Sequence, residues 1–597
     1  MRRLLTVLLA VLLLGGCATV PTKGTIRSGS REGLAPELGG VGVEAKPPRP
    51  NVDELAIVSG FLEAMSDSQA FDVAREYMTA DAAGAWHPET RTIVYDQQPD
   101  SLTQRPGGGG VQLTARKIAT IDERGEWIPA GPDERADFLF KVKKVNGQNR
   151  VNAAPPGAYL GNNQVDLKLA PRDLYFFNPT RDLLVADPVY LPLNLSQGQA
   201  ATQLIQELLK GPTSRLGNGV ISLAPPGTEV QVSVPVDLGV ATVALNDTAG
   251  ALREQDRRLL AAQIVWTLNQ ISLRAKITVG GAPLLPDDPD VLPFTNFSQY
   301  DPTVPSGALT DLYGLKDGLV QRIVGLDGAS DIAAKPLDSS QLHLYRAESF
   351  AVDLRGDSGA IVTTKKNGDK VVVYAKLDST EKADPVKMIP VEGETLRPSY
   401  DNQDNLWILD RADTASPRLR VRNHDGNLSL VAVSFHGDRP LVLRMAPDGV
   451  RAVLVMKSKS TGKTYVQTGT VQQTGVGAKT LTLGTFRQLR LPLNAITDAA
   501  WNKQGLLVVG RSATGSTTGS TTAGQTWMVN VDGSSLQLLP GSLPDFDAQK
   551  VASNPNKETL PVVQDAAGHV HWLSKDLLWV AMDPDNNGPR VIPTYPG

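Results

Sequence analysis

The sequence predicts a multidomain protein in which two α+β domains precede an all-β C-terminal propeller. Three observations lead there. The chain has 597 residues, which at roughly 150 residues per domain allows about four domains. Between residues 51 and 295 helical periodicity twice gives way to short strands. From residue 320 onward strand-sized runs alternate with turn residues roughly every 8–12 residues, with no long helical pattern.

Composition narrows the class. Apolar residues are 41% and charged residues 20%, enough of both for packed cores with solvated surfaces, which excludes a disordered tail or a coiled-coil rod. Lys plus Arg number 59 against 63 for Asp plus Glu, a net charge of −4. Such a chain has no global electrostatic pull on nucleic acid. Its single cysteine excludes a framework of internal disulfides and any zinc site with two thiolates.

That cysteine organises the N-terminus. Arg2 and Arg3 precede the apolar run Leu4–Leu14, which leads into Gly15-Gly16-Cys17. As a helix the run spans about 16 Å, half of a ~30 Å hydrocarbon core, so it reads as a secretory signal and not as a membrane span. The stretch Leu14-Gly15-Gly16-Cys17 resembles the lipobox of bacterial lipoproteins. That resemblance implies cleavage before Cys17, removing residues 1–16. It also implies S-diacylglycerol on the Cys17 sulfur and an N-acyl chain such as palmitate on the new amine. The alternative is an ordinary secretory signal that contains a cysteine. Two or three acyl chains hold a protein stably on a membrane. Residues 17–50, rich in Pro and Gly and without apolar periodicity, form a flexible tether with a reach on the order of 30 Å.

An N-terminal α+β domain is expected over 51–192. Asn51 is placed to cap a helix with Glu54 reaching back, and Ile57, Val58, Phe61, Leu62 and Met65 recur at helical spacing. Phe71, Ala74, Tyr77 and Met78 mark a second helical segment. Strands are expected at Thr92–Tyr95, Lys117–Ile121 and Asp137–Val142, with Gly107–Gly110 as a turn.

A second α+β domain is expected over 193–295. Ser196 and Gln199 fit a capping box ahead of Ala201, Leu204, Ile205 and Leu208, and Gly211-Pro212 stops that helix. Strands follow at Glu229–Val234 and Val240–Leu245. An amphipathic helix carries Leu252, Leu259, Leu260, Ile264, Val265 and Leu268, and a last strand covers Ala275–Val279. The phrases Leu208-Leu209-Lys210-Gly211-Pro212, Leu223-Ala224-Pro225-Pro226-Gly227-Thr228 and Ala262-Gln263-Ile264-Val265-Trp266-Thr267-Leu268 resemble the GerMN domain of spore germination lipoproteins. That resemblance implies a recognition module without catalytic residues.

Residues 296–319 read as a linker and 320–597 as the propeller. Phe350–Gly356 resembles Leu443–Val453, and Asp404–Asp410 resembles Thr526–Asp532. Ile496–Trp501 runs into Gly505–Val509. A period of roughly 45–50 residues suits one four-stranded blade each, hence five or six blades; a pair of β-sandwiches is the alternative.

The lipobox-like stretch, the N-terminal α+β domain, the GerMN-like domain and the propeller, in this order, resemble the LpqB family of actinobacterial lipoproteins across essentially the whole chain. The resemblance implies a lipid-anchored accessory protein on the extracytoplasmic face of the cell membrane. It further implies binding to the extracytoplasmic domain of the sensor histidine kinase MtrB and modulation of MtrA–MtrB two-component signalling in envelope homeostasis and division. No enzyme activity and no cofactor come with it.

Candidate chemistry is sparse. Gly356-Asp357-Ser358-Gly359 imitates a serine-protease nucleophile, but only His87 and His343 precede it and neither stands in a catalytic context; a polar turn between strands accounts for it. His569 and His571 lie at period two, half of a metal site. Asp583–Gly588 starts like a calcium loop whose twelfth position is Thr594 instead of Glu. Gly107–Gly110 lack a following Gly-Lys-Ser/Thr, so they are no phosphate cradle. Lys141, Lys143 and Lys144 read as a solvated strand face, and Trp407, Trp501, Trp527, Trp572 and Trp579 as blade core. No catalytic or metal-binding set is expected. A signalling accessory is therefore the leading reading. The others are a peptidoglycan-binding lipoprotein without a signalling role, and an envelope hydrolase with a scattered carboxylate pair.

Overall fold

The computed structural model describes residues 45–65, 71–272, 274–302, 311–324, 333–379, 386–474, 480–512, 524–539, 547–553, 555, 559–574, 577–582 and 590–597. Cys17, its tether to residue 44, and Asp583–Gly588 lie outside them.

The first domain opens with the helix Glu54–Ala64, which buries Ile57, Val58, Phe61 and Leu62 against a mainly antiparallel sheet. Along the sheet the strands run Gln148–Ala153, Arg135–Val145, Gly110–Asp122, Arg91–Tyr95 and Ala158–Gly161. The cap is Asp53, whose carboxylate accepts the Ala56 N–H at 2.8 Å. Asn51, expected in that role, sits at φ 58 and exchanges two hydrogen bonds with the Gln148 amide. Glu54 reaches across to accept the N–H groups of Gly109 (3.0 Å) and Gly110 (3.1 Å), pinning the glycine turn.

The second domain packs two helices on a small sheet. Ser196 and Gln199 form the full capping box on the helix Gln197–Leu209, and a second helix spans Glu254–Leu268. Val240–Leu245 and Arg274–Val279 pair in parallel, as a helical crossover between strands requires. The strand expected at Glu229–Val234 is an irregular segment bridged once, Val230 to Leu245; Pro225, Pro226 and Pro235 around it have no N–H to give a ladder.

Two boundaries differ from the sequence reading. The hairpin Leu169–Phe177 with Leu184–Pro192 buries Leu174, Phe176, Phe177, Leu184 and Val185 in the second domain's core, so that core recruits chain from before residue 193. Its strands carry apolar runs on both faces, Leu174–Phe177 and Leu184–Ala186, with no alternation to mark a side. Likewise Phe297 belongs to that core, while the propeller's first strand is Leu312–Lys316; both fall in the expected linker.

The C-terminal region forms six four-stranded blades among the described residues. Their innermost strands are, in ring order, Ser349–Val352, Ser399–Tyr400, Arg439–Met445, Leu493–Asn502, Ala548–Ala552 and Ile592–Thr594. The last of these pairs with Leu312–Lys316, so the chain's end completes the first blade and closes the ring. The repeated phrases Phe350–Gly356 and Leu443–Val453 prove to be the same place in two blades, an innermost strand and the turn after it. Asp404–Asp410 and Thr526–Asp532 are different strands of their blades. Two neighbouring blades also join at their rims, where Leu428–Val433 pairs in parallel with Thr480–Leu489.

Candidate functional site

The three domains meet at one polar junction built from residues far apart in sequence. Glu126 stands in a turn of the first domain and is 1% exposed. Its Oε2 accepts from the Ser214 backbone N–H (3.0 Å) and hydroxyl (2.8 Å) of the second domain, and its Oε1 faces Arg487 of the propeller at 3.5 Å. Beside it Arg124 donates to the carbonyls of Glu207 (3.2 Å), Gly211 (2.6 Å) and Pro212 (2.9 Å). It thereby supplies donors to the carbonyls left over at the end of the helix Gln197–Leu209. Arg215 donates to Trp127 O at 3.0 Å, and Thr470 of the propeller donates to Arg215 O at 2.8 Å. Arg490 donates to Lys117 O and Pro132 O.

Packing closes the same seam. Gly219 lies so near the propeller that a Cβ would stand 2.5 Å from Thr470 Cγ2 and 2.9 Å from Val471 O. Asp187, fully buried, accepts the Thr213 N–H (2.7 Å) and hydroxyl (2.8 Å). Burial pushes its carboxyl above the usual range, against the pull of those hydrogen bonds and of Arg215.

The structure explains the motifs singled out by sequence. Gly356–Gly359 is the turn after the innermost strand of its blade. Asp353, 2% exposed, accepts the N–H groups of Asp357 and Ser358, both at 2.9 Å. Burial and the neighbouring Asp404 raise its pKa to about 6. His343 is engaged with Ser340 O at 2.5 Å and His87 with Glu89 at 3.0 Å. In the corresponding turn two blades on, Asp448 also accepts backbone N–H groups, from Val450 (2.8 Å) and Arg451 (2.9 Å), two and three residues ahead of it.

His569 Nδ1 and His571 Nε2 each lie 3.3 Å from the same Asp565 oxygen. Among the described residues no group of three or more His, Cys, Asp or Glu is arranged to hold a metal ion. Trp407, Trp501 and Trp579 are buried, and Trp527 and Trp572 pack partly buried against blade cores. Lys141, Lys143 and Lys144 are exposed.

Sequence reasoning missed Glu126, Arg124, Arg215 and Arg487, because nothing local distinguishes them from surface charges. The Asp353 and Asp448 turns carried a usable signal, a glycine at matching places in the repeated phrases with an aspartate one or three residues before it.

Comparison with known proteins follows the same modules. The family description "Lipoprotein LpqB, N-terminal domain" matches residues 47–166, "Sporulation and spore germination" matches 173–285, and "Lipoprotein LpqB beta-propeller domain" matches 320–596. The chain is 29% identical to Lipoprotein LpqB of Streptomyces coelicolor over 98% of this chain and 96% of that one. It is 28% identical to Lipoprotein LpqB of Thermobifida fusca over 93% of each. With Lipoprotein LpqB of Streptomyces avermitilis it shares 27% identity over 98% of this chain and 96% of that one. Among the described residues no helix is long and apolar enough to cross a membrane. With its N-terminal and propeller modules both matched and relatives aligned from end to end, the chain belongs to the LpqB family of lipoproteins.

Proposed function

We propose that this lipoprotein is anchored through Cys17 on the extracytoplasmic face of the cell membrane. There it binds the sensor domain of an MtrB-like histidine kinase and modulates MtrA–MtrB signalling. Beside the family resemblance, the observation that carries the reading is the three-way junction. Glu126, Arg124 and Arg487 fasten three modules together, so a contact made on any one of them is transmitted to a single body. Anchoring confines that body to the plane of the membrane and raises its effective concentration near a membrane partner. It shifts the kinase between states only through unequal affinity for them.

The test is calorimetric titration of the full chain in detergent with the kinase's extracytoplasmic domain, with peptidoglycan co-sedimentation beside it. Saturable binding to the kinase domain supports the reading. No heat with the kinase together with retention on peptidoglycan replaces it with a wall-binding role. In cells, Cys17→Ala is expected to abolish membrane retention and signalling while leaving the fold intact. Unchanged kinase output from a stably accumulated Cys17→Ala protein would remove the anchoring argument.

A further inference from the structure

The propeller axis holds a small cavity of ≈ 30 Å³, partly open to solvent, whose walls include Arg397, Arg444, Trp501, Val551 and Tyr595. Arg397 stands in the connection that leads into the blade beginning at Ser399, and Arg444 on the innermost strand Arg439–Met445. Arg444 Nη1 donates to Leu443 O at 2.8 Å, and its Nη2 lies 3.6 Å from Asp498 Oδ1. Both oxygens of Asp498 are already used, Oδ1 by the Ala499 N–H (3.0 Å) and Oδ2 by the Val551 N–H (3.2 Å). Trp501 is fixed in the wall by its Nε1, which donates to Arg444 O at 3.0 Å.

Arg397 is different. Its Nε is sealed from solvent with no hydrogen-bond partner, and among the described residues its guanidinium makes no hydrogen bond or ion pair. Asp498, which pairs with Arg444, acts on Arg397 only through its field. A half-buried guanidinium set beside a second one is unfavourable, and desolvation together with Arg444 pushes the Arg397 pKa down to about 9, against the pull of Asp498. What the cavity lacks is a compact acceptor of negative charge. The planar donor forks of arginine match a carboxylate or a phosphate bidentately. A concave pocket with apolar walls and a few converging polar groups is where small ligands are held.

We infer that the propeller axis is a binding site for a small oxyanion, a carboxylate or phosphate group held by Arg397 and Arg444 beside Trp501. Asp498 positions Arg444 and limits the positive charge. The inference is independent of the kinase reading: it needs only the ring of innermost strands and the two arginines.

The test is calorimetry and thermal unfolding of the full chain in detergent with sodium phosphate, sodium succinate or sodium chloride, at fixed pH and ionic strength. Saturable binding with a raised unfolding temperature is expected for phosphate or succinate and not for chloride. Whichever binds identifies the group as phosphate or carboxylate. Arg397→Met is expected to weaken that binding about tenfold or more, as loss of a charge-assisted pair does. Arg397→Lys, which keeps the charge but not the fork, falls between, and Asp498→Asn tightens binding several-fold. If Arg397→Met does not fold, Arg397→Lys and Asp498→Asn carry the test. Absence of oxyanion binding in the unaltered chain overturns the inference, and so does binding that these substitutions leave unchanged.

Discussion

The domain junction and the propeller axis both bury charge, and they treat it in opposite ways. At the junction Glu126 faces Ser214 and Arg487, and Arg124 is spread over three carbonyls at a helix end. These ions act as fasteners. Removing one partner strands the other, which is why broken buried pairs cost more than intact ones contribute. At the axis the Arg397 Nε has no hydrogen-bond partner among the described residues, and its charge faces Arg444 with Asp498 in opposition. A charge that bridges two modules belongs to the architecture, and two like charges facing one cavity point to a ligand. The Asp353 turn shows a third solution, in which a buried carboxyl takes up its proton at a higher pH than an exposed one.

Substitutions can break this contrast. Glu126→Ala leaves Arg487 and Ser214 without their acceptor and is expected to cost about 3–5 kcal/mol; urea unfolding followed by tryptophan fluorescence reads it, and a loss below ~1 kcal/mol would make the junction incidental. Gly219→Ala drives a Cβ into Thr470 and the Val471 carbonyl. Overpacking of this kind costs about 1–3 kcal/mol, and limited proteolysis between residues 302 and 312 should then release the propeller faster. Arg397→Met is expected to act in the other direction and raise stability by up to ~1 kcal/mol in chloride buffer, because it removes one of two adjacent like charges. A destabilised Arg397→Met protein would place that arginine with the fasteners.

The most gradual effect is a pH slope. With its pKa near 6 in the fold against about 3.9 in an unfolded chain, Asp353 makes the folded state bind more protons. Stability therefore falls as pH rises from about 4 to about 6 and then levels, by about 1 kcal/mol or more. Asp353→Asn should flatten that part of the curve, measured as the urea midpoint against pH.

Much of the fold was legible in the sequence. The capping box at Ser196 and Gln199, the periodicity of Leu259, Leu260, Ile264 and Val265, and the turns after Val352 and Met445 are local patterns, and local patterns specify local structure. The Asp53 cap was missed by two residues because Asn51 and Asp53 offer the same chemistry. The Leu169–Pro192 hairpin was grouped with the wrong neighbours because strands apolar on both faces do not say which core they join. The junction and the axial pair were invisible: Glu126 meets Ser214, and Arg397 meets Arg444, only once separate elements are packed together.

By itself the sequence determined the order of modules, the capping box at Ser196 and Gln199 and the approximate blade period, since each depends on residues within a turn or a strand of one another. The tertiary structure alone decided the blade number, the closing of the ring by Ile592–Thr594 against Leu312–Lys316, the domain to which a hairpin belongs and the charges that come to face one another. The physical reason is distance along the chain. Pairings across hundreds of residues are set by which surfaces fit and which charges find acceptors when the cores close, and no short stretch of sequence carries that outcome.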